Sequence, residues 1–382
     1  MARSVRSHHA LAAVAALLTA VAACGAPSPP AGEPPSAPSA APTTGPVALY
    51  TPEKPLHRSP VPIVWHAESG TFFVGTKHDG SIYRGTPDDP SVRVFLEGQP
   101  GQAAAGIGIA GERILVAGAE YGDIRVYDLQ TRQRVGEFST GPGTCLMGMR
   151  VTEAGDVWVT DAFRPVLWHL TADQIAVGSG TPTALPLGPE IPYIGSPDNV
   201  EGVVALSATR LLVVKYADGA LYRIDLDPQA PQGRTITPIT GATVPLGSQM
   251  ILDGKRLVVP DENGLSVVEL ADDAASGTVV TRLRVPAFRD ATAVARVGDR
   301  YLVVNAAWNL PPPTRSRACP SSPDHGLDER DESAAAQARA SRLERSAGVA
   351  GIEGDVSAVP TTEVSRSERS PRMISTAATR RG

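Results

Sequence analysis

The sequence has only three cysteines in 382 residues, Cys24, Cys145 and Cys319. They are too few and too scattered for a disulfide framework or a zinc cluster, so each is judged singly. Charge bias is missing as well: 35 Lys and Arg stand against 40 Asp and Glu. No basic field argues for nucleic acid, and no acidic run argues for cation storage. The histidines His57, His66, His78 and His169 show no His-x-His or His-x-x-x-His spacing, which disfavours a redox-metal centre and leaves them as exposed loop residues. A nucleophile-elbow Gly-x-Ser-x-Gly is lacking; Gly178-Ser-Gly180 reads as a turn. Gly106-Ile-Gly108 lacks the helix that a phosphate-cradling loop requires. Helical periodicity is nearly missing too, apart from a short Thr171–Ala176 segment.

What is present begins at the N-terminus. Arg3 and Arg6 precede an apolar run from Ala10 to Ala23 that is too short to span a membrane as a helix but suits a signal-peptide core. The run ends Val21-Ala-Ala-Cys24, which resembles the bacterial lipobox. That resemblance implies removal of residues 1–23 and a diacylglyceryl thioether on Cys24, and hence a membrane partner; the alternative is a secreted protein cleaved after Ala23. Residues 24–46 are rich in Pro, Ala and Ser, with Glu33 as the one charge, and read as a disordered spacer between envelope and domain.

From Val47 onward a strand signal recurs. Gly70-Thr-Phe-Phe-Val-Gly75 followed by Gly80-Ser-Ile-Tyr-Arg84 is answered by Arg113–Ala117 with Gly122–Tyr127, and by Val157–Thr160 with Val166–Leu170. Arg210–Lys215 with Gly219–Asp225, then Arg256–Pro260 with Gly264–Val268, continue the series, and Arg300–Asn305 opens a sixth unit. The turn glycines at 80, 122, 219 and 264 set a period of about 42 to 45 residues, a propeller or solenoid spacing. Adding a short apolar strand before each pair and a variable strand after it gives one four-stranded blade. Blades bury their faces only by stacking around an axis. The fold class is all-β, a six-bladed β-propeller over residues 47–313, with Val47–Tyr50 as a candidate strand for closing the ring.

The last blade is expected to be incomplete. Residues 314–382 contain eleven Arg, no Lys and no aromatic residue, and read as unable to supply blade strands. Two readings follow: a disordered tail, or a coding frame shifted near residue 313. The second is favoured because a propeller stopping in mid-blade keeps an open edge.

Blade order, the strand pair Trp65–Gly75 and the phrase Gly155-Asp-Val-Trp-Val-Thr-Asp161 make Val47–Asn309 resemble the SMP-30/gluconolactonase/LRE-like family. The resemblance implies a six-bladed propeller with a divalent cation, Ca, Zn or Mg, at the axial mouth, where lactones are opened. The family's ligand positions fall here on Val61, on Met147 and Gly148, on Glu201, and on Ser248. Only Glu201 keeps a strong oxygen ligand, so it is the one candidate metal ligand. A register differing by a few residues would bring in Asp161, Asp198 or Asn199. No catalytic residue is assigned. Cys145 reads as a small core residue, and Trp65, Trp158 and Trp168 as packing between blades.

The expectation is therefore an envelope-anchored propeller whose mouth has lost the family's metal chemistry and binds a small molecule or a protein. The alternative is a metal-dependent lactonase or esterase built on Glu201. A purely structural domain, or the product of a decaying gene, is the third class.

Overall fold

The computed structural model describes residues 47–53, 59–230, 232–262, 264–285, 288, 290–306 and 348–353. The signal peptide, Cys24, the 24–46 spacer, His57 and Cys319 lie outside the described residues. Among the described residues no helix is long and apolar enough to cross a membrane.

The chain is an all-β propeller. β1 (Val47–Pro52) precedes a set formed by β2 (Pro60–His66), β3 (Thr71–Thr76), β4 (Ile82–Thr86) and β5 (Asp89–Leu96). Next come β6 (Gly106–Ala110), β7 (Arg113–Ala117), β8 (Asp123–Asp128) and β9 (Arg134–Ser139). The third set is β10 (Leu146–Val151), β11 (Val157–Asp161), β12 (Val166–Leu170) and β13 (Thr183–Pro186), with α1 (Ala172–Val177) between its last two strands. β14 (Val200–Ser207), β15 (Arg210–Lys215), β16 (Ala220–Leu226) and β17 (Arg234–Thr243) form the fourth. β18 (Ile251–Asp253), β19 (Arg256–Asp261), β20 (Gly264–Leu270) and β21 (Gly277–Arg284) form the fifth, and β22 (Ala291–Val297), β23 (Arg300–Asn305) and β24 (Gly348–Glu353) end the series. Every strand pair named from the sequence is found, in order.

The turns follow from glycine. Gly80, Gly122 and Gly219 have φ of 75°, 69° and 69°, a left-handed backbone that a side chain would strain. Gly264 differs: it opens β20, where an added Cβ would lie 1.8 Å from the Leu283 carbonyl oxygen. The α1 helix is set by its ends. Thr171 and Gln174 form a capping box and Gly178 closes the C-terminus in the left-handed region.

The second strand of each set is an almost unbroken apolar run because it is covered on both faces. Leu212 and Val214 pack with Leu257 and Val259 of the following sheet. Leu211 and Val213 face the other way, with Trp158 and Leu167 of the preceding one. Full burial of one such side chain contributes about 1.5 to 3 kcal/mol. Stacking of sheets around the axis therefore holds each unit in place.

The strands form five hydrogen-bonded sheets where six four-stranded units were expected: four sheets of four strands and one of eight. The eight-stranded sheet runs β2-β3-β4-β5-β1-β24-β23-β22. The expectation that residues 314–382 supply no strand is corrected, because β24 pairs antiparallel with β23 from Asn305↔Gly348 to Arg300↔Glu353. On its other side β24 pairs with β1, from Val47↔Ile352 to Tyr50↔Val349. Composition averaged over 69 residues hid six that suit an edge-protected strand; Gly348-Val-Ala-Gly-Ile-Glu353 carries neither Arg nor Pro. This strand removes the open edge that had argued for a shifted reading frame.

β1 is the closing strand, as its sequence suggested. Past Tyr50 it turns parallel to β5, pairing Thr51 with Ser91 and Pro52 with Val92. The Tyr50 ring meets Phe72 edge-on at 5.1 Å, and its hydroxyl donates to the Pro87 carbonyl at 2.7 Å.

Candidate functional site

The innermost strands all begin at one mouth of the axis, and there the backbones come very close. A Cβ on Gly106 would lie 2.1 Å from the Met147 carbonyl oxygen, on Gly148 2.1 Å from that of Glu201, and on Gly202 2.4 Å from that of Ser248. Only glycine permits this approach. Pairing slips at the same level: between Pro60 and Ile63, Leu146 and Met149, Val200 and Gly202, and Ala291 and Ala293. Such bulges re-aim side chains at the head of a strand, and Glu201 stands in one of them.

Glu201 is half-buried as a residue, while its carboxyl end is enclosed. Ser248 Oγ donates to Glu201 Oε2 at 2.6 Å, linking the fourth set to the fifth. Thr160 Oγ1 donates to the Glu201 backbone carbonyl at 2.9 Å, linking it to the third. Burial pushes the Glu201 carboxyl up to about 7; the Ser248 bond and the Lys77 charge pull the other way, and Asp198 adds to the rise. Lys77, at the end of β3, is buried. Burial lowers its ammonium below the ordinary lysine range, against the attraction of Glu120 and Glu201. Tyr216, just after β15, is held well above the ordinary phenol range by burial and by Glu201, Asp198, Asp290 and Glu262. The mouth thus joins a carboxyl group that ionises near neutrality, a buried amine and a phenol, under a surround of negative charge.

Of the positions picked out in the sequence, Glu201 and Ser248 are brought together. Val61 is buried and offers only its carbonyl, which accepts from Thr292 Oγ1 at 3.0 Å. Met147 packs in an apolar cluster with Ala103, Ala105 and Cys145. Gly148 has no room for any side chain. Cys145, read as a small core residue, is fully buried in the same cluster as Met147 and is also disulfide-bonded.

The reserve ligands are engaged elsewhere. Asp161 Oδ1 accepts from the backbone N–H groups of Cys145, Phe163 and Arg164 at 2.9 to 3.0 Å, and Oδ2 accepts from Thr144 Oγ1 and Trp168 Nε1. Asn199 accepts from Ile194 N and donates to three carbonyls. Asp198 Oδ2 accepts from Ser196 Oγ at 2.9 Å. Among the described residues no three His, Cys, Asp or Glu side chains gather as a ligand set. One carboxylate, one hydroxyl and a nearby ammonium do not fit a divalent cation, which wants several converging oxygens. His66 and His169 stand apart, the first against Ser69 Oγ at 2.8 Å and the second stacked on Trp158 at 4.2 Å.

Sequence reasoning missed Lys77, and it met Gln249 only as the neighbour of Ser248 in the family's fifth-blade pair, with no role assigned. Each sits just beyond a feature already marked, Lys77 two residues after Gly70–Gly75 and Gln249 one after Ser248. The usable signal was position, since the end of a second strand and the head of a first strand share this mouth.

No family model matches the chain, and no curated protein matches it. Among solved structures it is similar to regucalcin, a calcium-binding protein from Agrobacterium tumefaciens, with TM-score 0.53 and 15% identity over 81% of this chain and 96% of that one. The luciferin-regenerating enzyme matches with TM-score 0.51 and 14% identity over 80% and 92%. The WD40 repeats of RRP9 match with TM-score 0.52 and 10% identity over 82% and 98%. At these identities the likeness is one of fold, and proteins of quite different kinds share it.

Proposed function

We propose that the chain is an envelope-anchored propeller of the SMP-30/gluconolactonase-like kind, with six blades when the eight-stranded sheet is taken as two, and that it binds a small polar molecule at the axial mouth. The observation that carries this reading is the enclosed Glu201 carboxyl, bonded to Ser248 and sharing its mouth with buried Lys77. A carboxyl group that ionises near neutrality both donates and accepts hydrogen bonds. The surrounding Glu120, Asp198, Glu262 and Asp290 favour a neutral polyhydroxyl or amine-bearing ligand over an anion. Differential scanning fluorimetry against sugars, sugar lactones and amines tests the reading. Stabilisation of the wild type that disappears in Glu201→Gln supports it; equal shifts in both proteins, or none in the wild type, overturn it.

A second reading, a metal-dependent lactonase or esterase, draws on the fold shared with regucalcin and the luciferin-regenerating enzyme. The donor set argues against it. Elemental analysis of purified protein, with lactone hydrolysis assayed before and after chelation, separates the two. Chelator-sensitive turnover abolished by Glu201→Gln establishes the hydrolase. Anchoring rests on the sequence around Cys24, and incorporation of labelled palmitate that is lost in Cys24→Ser tests it.

A further inference from the structure

The axis also holds a cavity of about 500 Å³. Its walls come from the middle and far ends of the innermost strands, such as Ile63 to Glu68, Met149 to Val151 and Ala293 to Arg296. It is therefore reached from the mouth opposite Glu201. The two ends are separated by Gln249, whose Nε2 donates across the axis to the Ala105 carbonyl at 2.6 Å. A cavity of this volume suits a small organic ligand.

The wall is mixed, with apolar side chains from Ile63, Ile107, Met149, Val203, Met250 and Val294 set among polar groups. Into it comes one cation without a partner. Arg150, on β10, lines the cavity, and its Nε is buried with no hydrogen-bond partner among the described residues. Burial lowers its guanidinium below the ordinary range, with Glu153 the one acid acting against that. The other charged wall residues do not neutralise it. Arg296 is engaged with Asp253, and Glu68 stands exposed at the rim beside His66, 3.8 Å from its Nε2. Arg150 is half-buried as a residue, and partial desolvation of a guanidinium with no ion pair costs the fold stability. A planar fork of N–H donors is also the group best suited to a carboxylate.

We propose that this cavity is a second binding site, for an amphiphilic organic carboxylate whose acid group pairs with Arg150 and whose apolar body lies along the axis against Ile63, Met149 and Val203. The site is distinct from the Glu201 mouth. The mouth is lined by acids and suits a neutral or cationic ligand, so the two can succeed or fail separately.

Octanoate serves as the probe, with octanamide as its neutral counterpart, and the melting midpoint is read by differential scanning fluorimetry on the intact protein. Octanoate in large excess over its dissociation constant raises the wild-type midpoint by about 2 °C or more. Octanamide produces less than half that shift. In Arg150→Met the octanoate shift vanishes, while the ligand-free midpoint is no lower than that of the wild type because an unpaired charge has been removed. Absence of a shift in the wild type, equal shifts from acid and amide, or an octanoate shift that survives in Arg150→Met would each overturn the proposal. The comparison of acid with amide needs only the wild type and stands even if the variant does not fold.

Discussion

The Gln249 side chain crosses the propeller axis and donates from Nε2 to the Ala105 carbonyl oxygen at 2.6 Å, joining positions 144 residues apart in the chain. Its backbone N–H donates to the Thr292 carbonyl at 3.0 Å, so the crossing arm is anchored at its root. One residue thus ties the second set of strands to the fifth and divides the axial space in two.

Gln249→Ala removes this tie and leaves the Ala105 carbonyl short of a donor. The cost is that of a lost hydrogen bond with a stranded acceptor, about 1 to 3 kcal/mol. A lower denaturation midpoint in urea at unchanged m-value is the expected result. An unchanged midpoint shows that water replaces the amide at no cost.

Restoring a polar side chain at the third set's mouth position fails for a steric reason. In Gly148→Asp the new Cβ lies 2.1 Å from the Glu201 carbonyl oxygen, so β10 and β14 must separate. Overpacking of a tight site costs typically 1 to 3 kcal/mol, and here the obstacle is backbone, which cannot rotate away. We expect a loss of about 3 kcal/mol or more, read as a fall in melting midpoint and soluble yield. Gly148→Ala shows most of the same loss, because the first added carbon already clashes.

These two positions show what was legible in the sequence. The second strands of the sets, buried on both faces, wrote themselves as recurring apolar runs, and so β3, β7, β11, β15, β19 and β23 fall where expected. Glu201 and Ser248 were marked through the family resemblance, though not as partners, since the 46 residues between them carry no sign of proximity. Gln249 and Lys77 have ordinary identities, and only the closed ring gives them neighbours. β24 was missed because six unremarkable residues form a strand when edges wait on both sides, here β23 and β1.

Glu201 gives a pH signature. Its carboxyl is raised from 4.5 to about 7 in the folded protein. Folding therefore favours the protonated form. The stability linked to this group is fully present below pH 4.5 and is lost as pH rises through 7. The difference corresponds to about 3 kcal/mol at 1.36 kcal/mol per unit. Glu201→Gln removes the titration, so its stability relative to wild type improves between pH 4.5 and pH 8, as read from urea midpoints across that range. A constant difference between the two proteins would place the ionisation of Glu201 outside this window.

Closure of the ring depends on β1, and this too can be tested. β1 hydrogen-bonds β24 on one side and meets β5 on the other, where Glu53 N also donates to the Val92 carbonyl at 2.7 Å. Removing residues 47–53 exposes the β24 and β5 edges together. Exposed edges pair with other chains, so the truncated protein is expected to show a higher mass than the intact chain in size-exclusion chromatography with light scattering. Tyr50→Phe is the milder version of the same test, because it keeps the strand and the ring contact with Phe72 and deletes only the bond to the Pro87 carbonyl. Loss of that bond costs about 1 kcal/mol, without oligomers. If the truncation leaves both the mass in solution and the melting midpoint unchanged, β1 is not what holds the first and last sets of strands together.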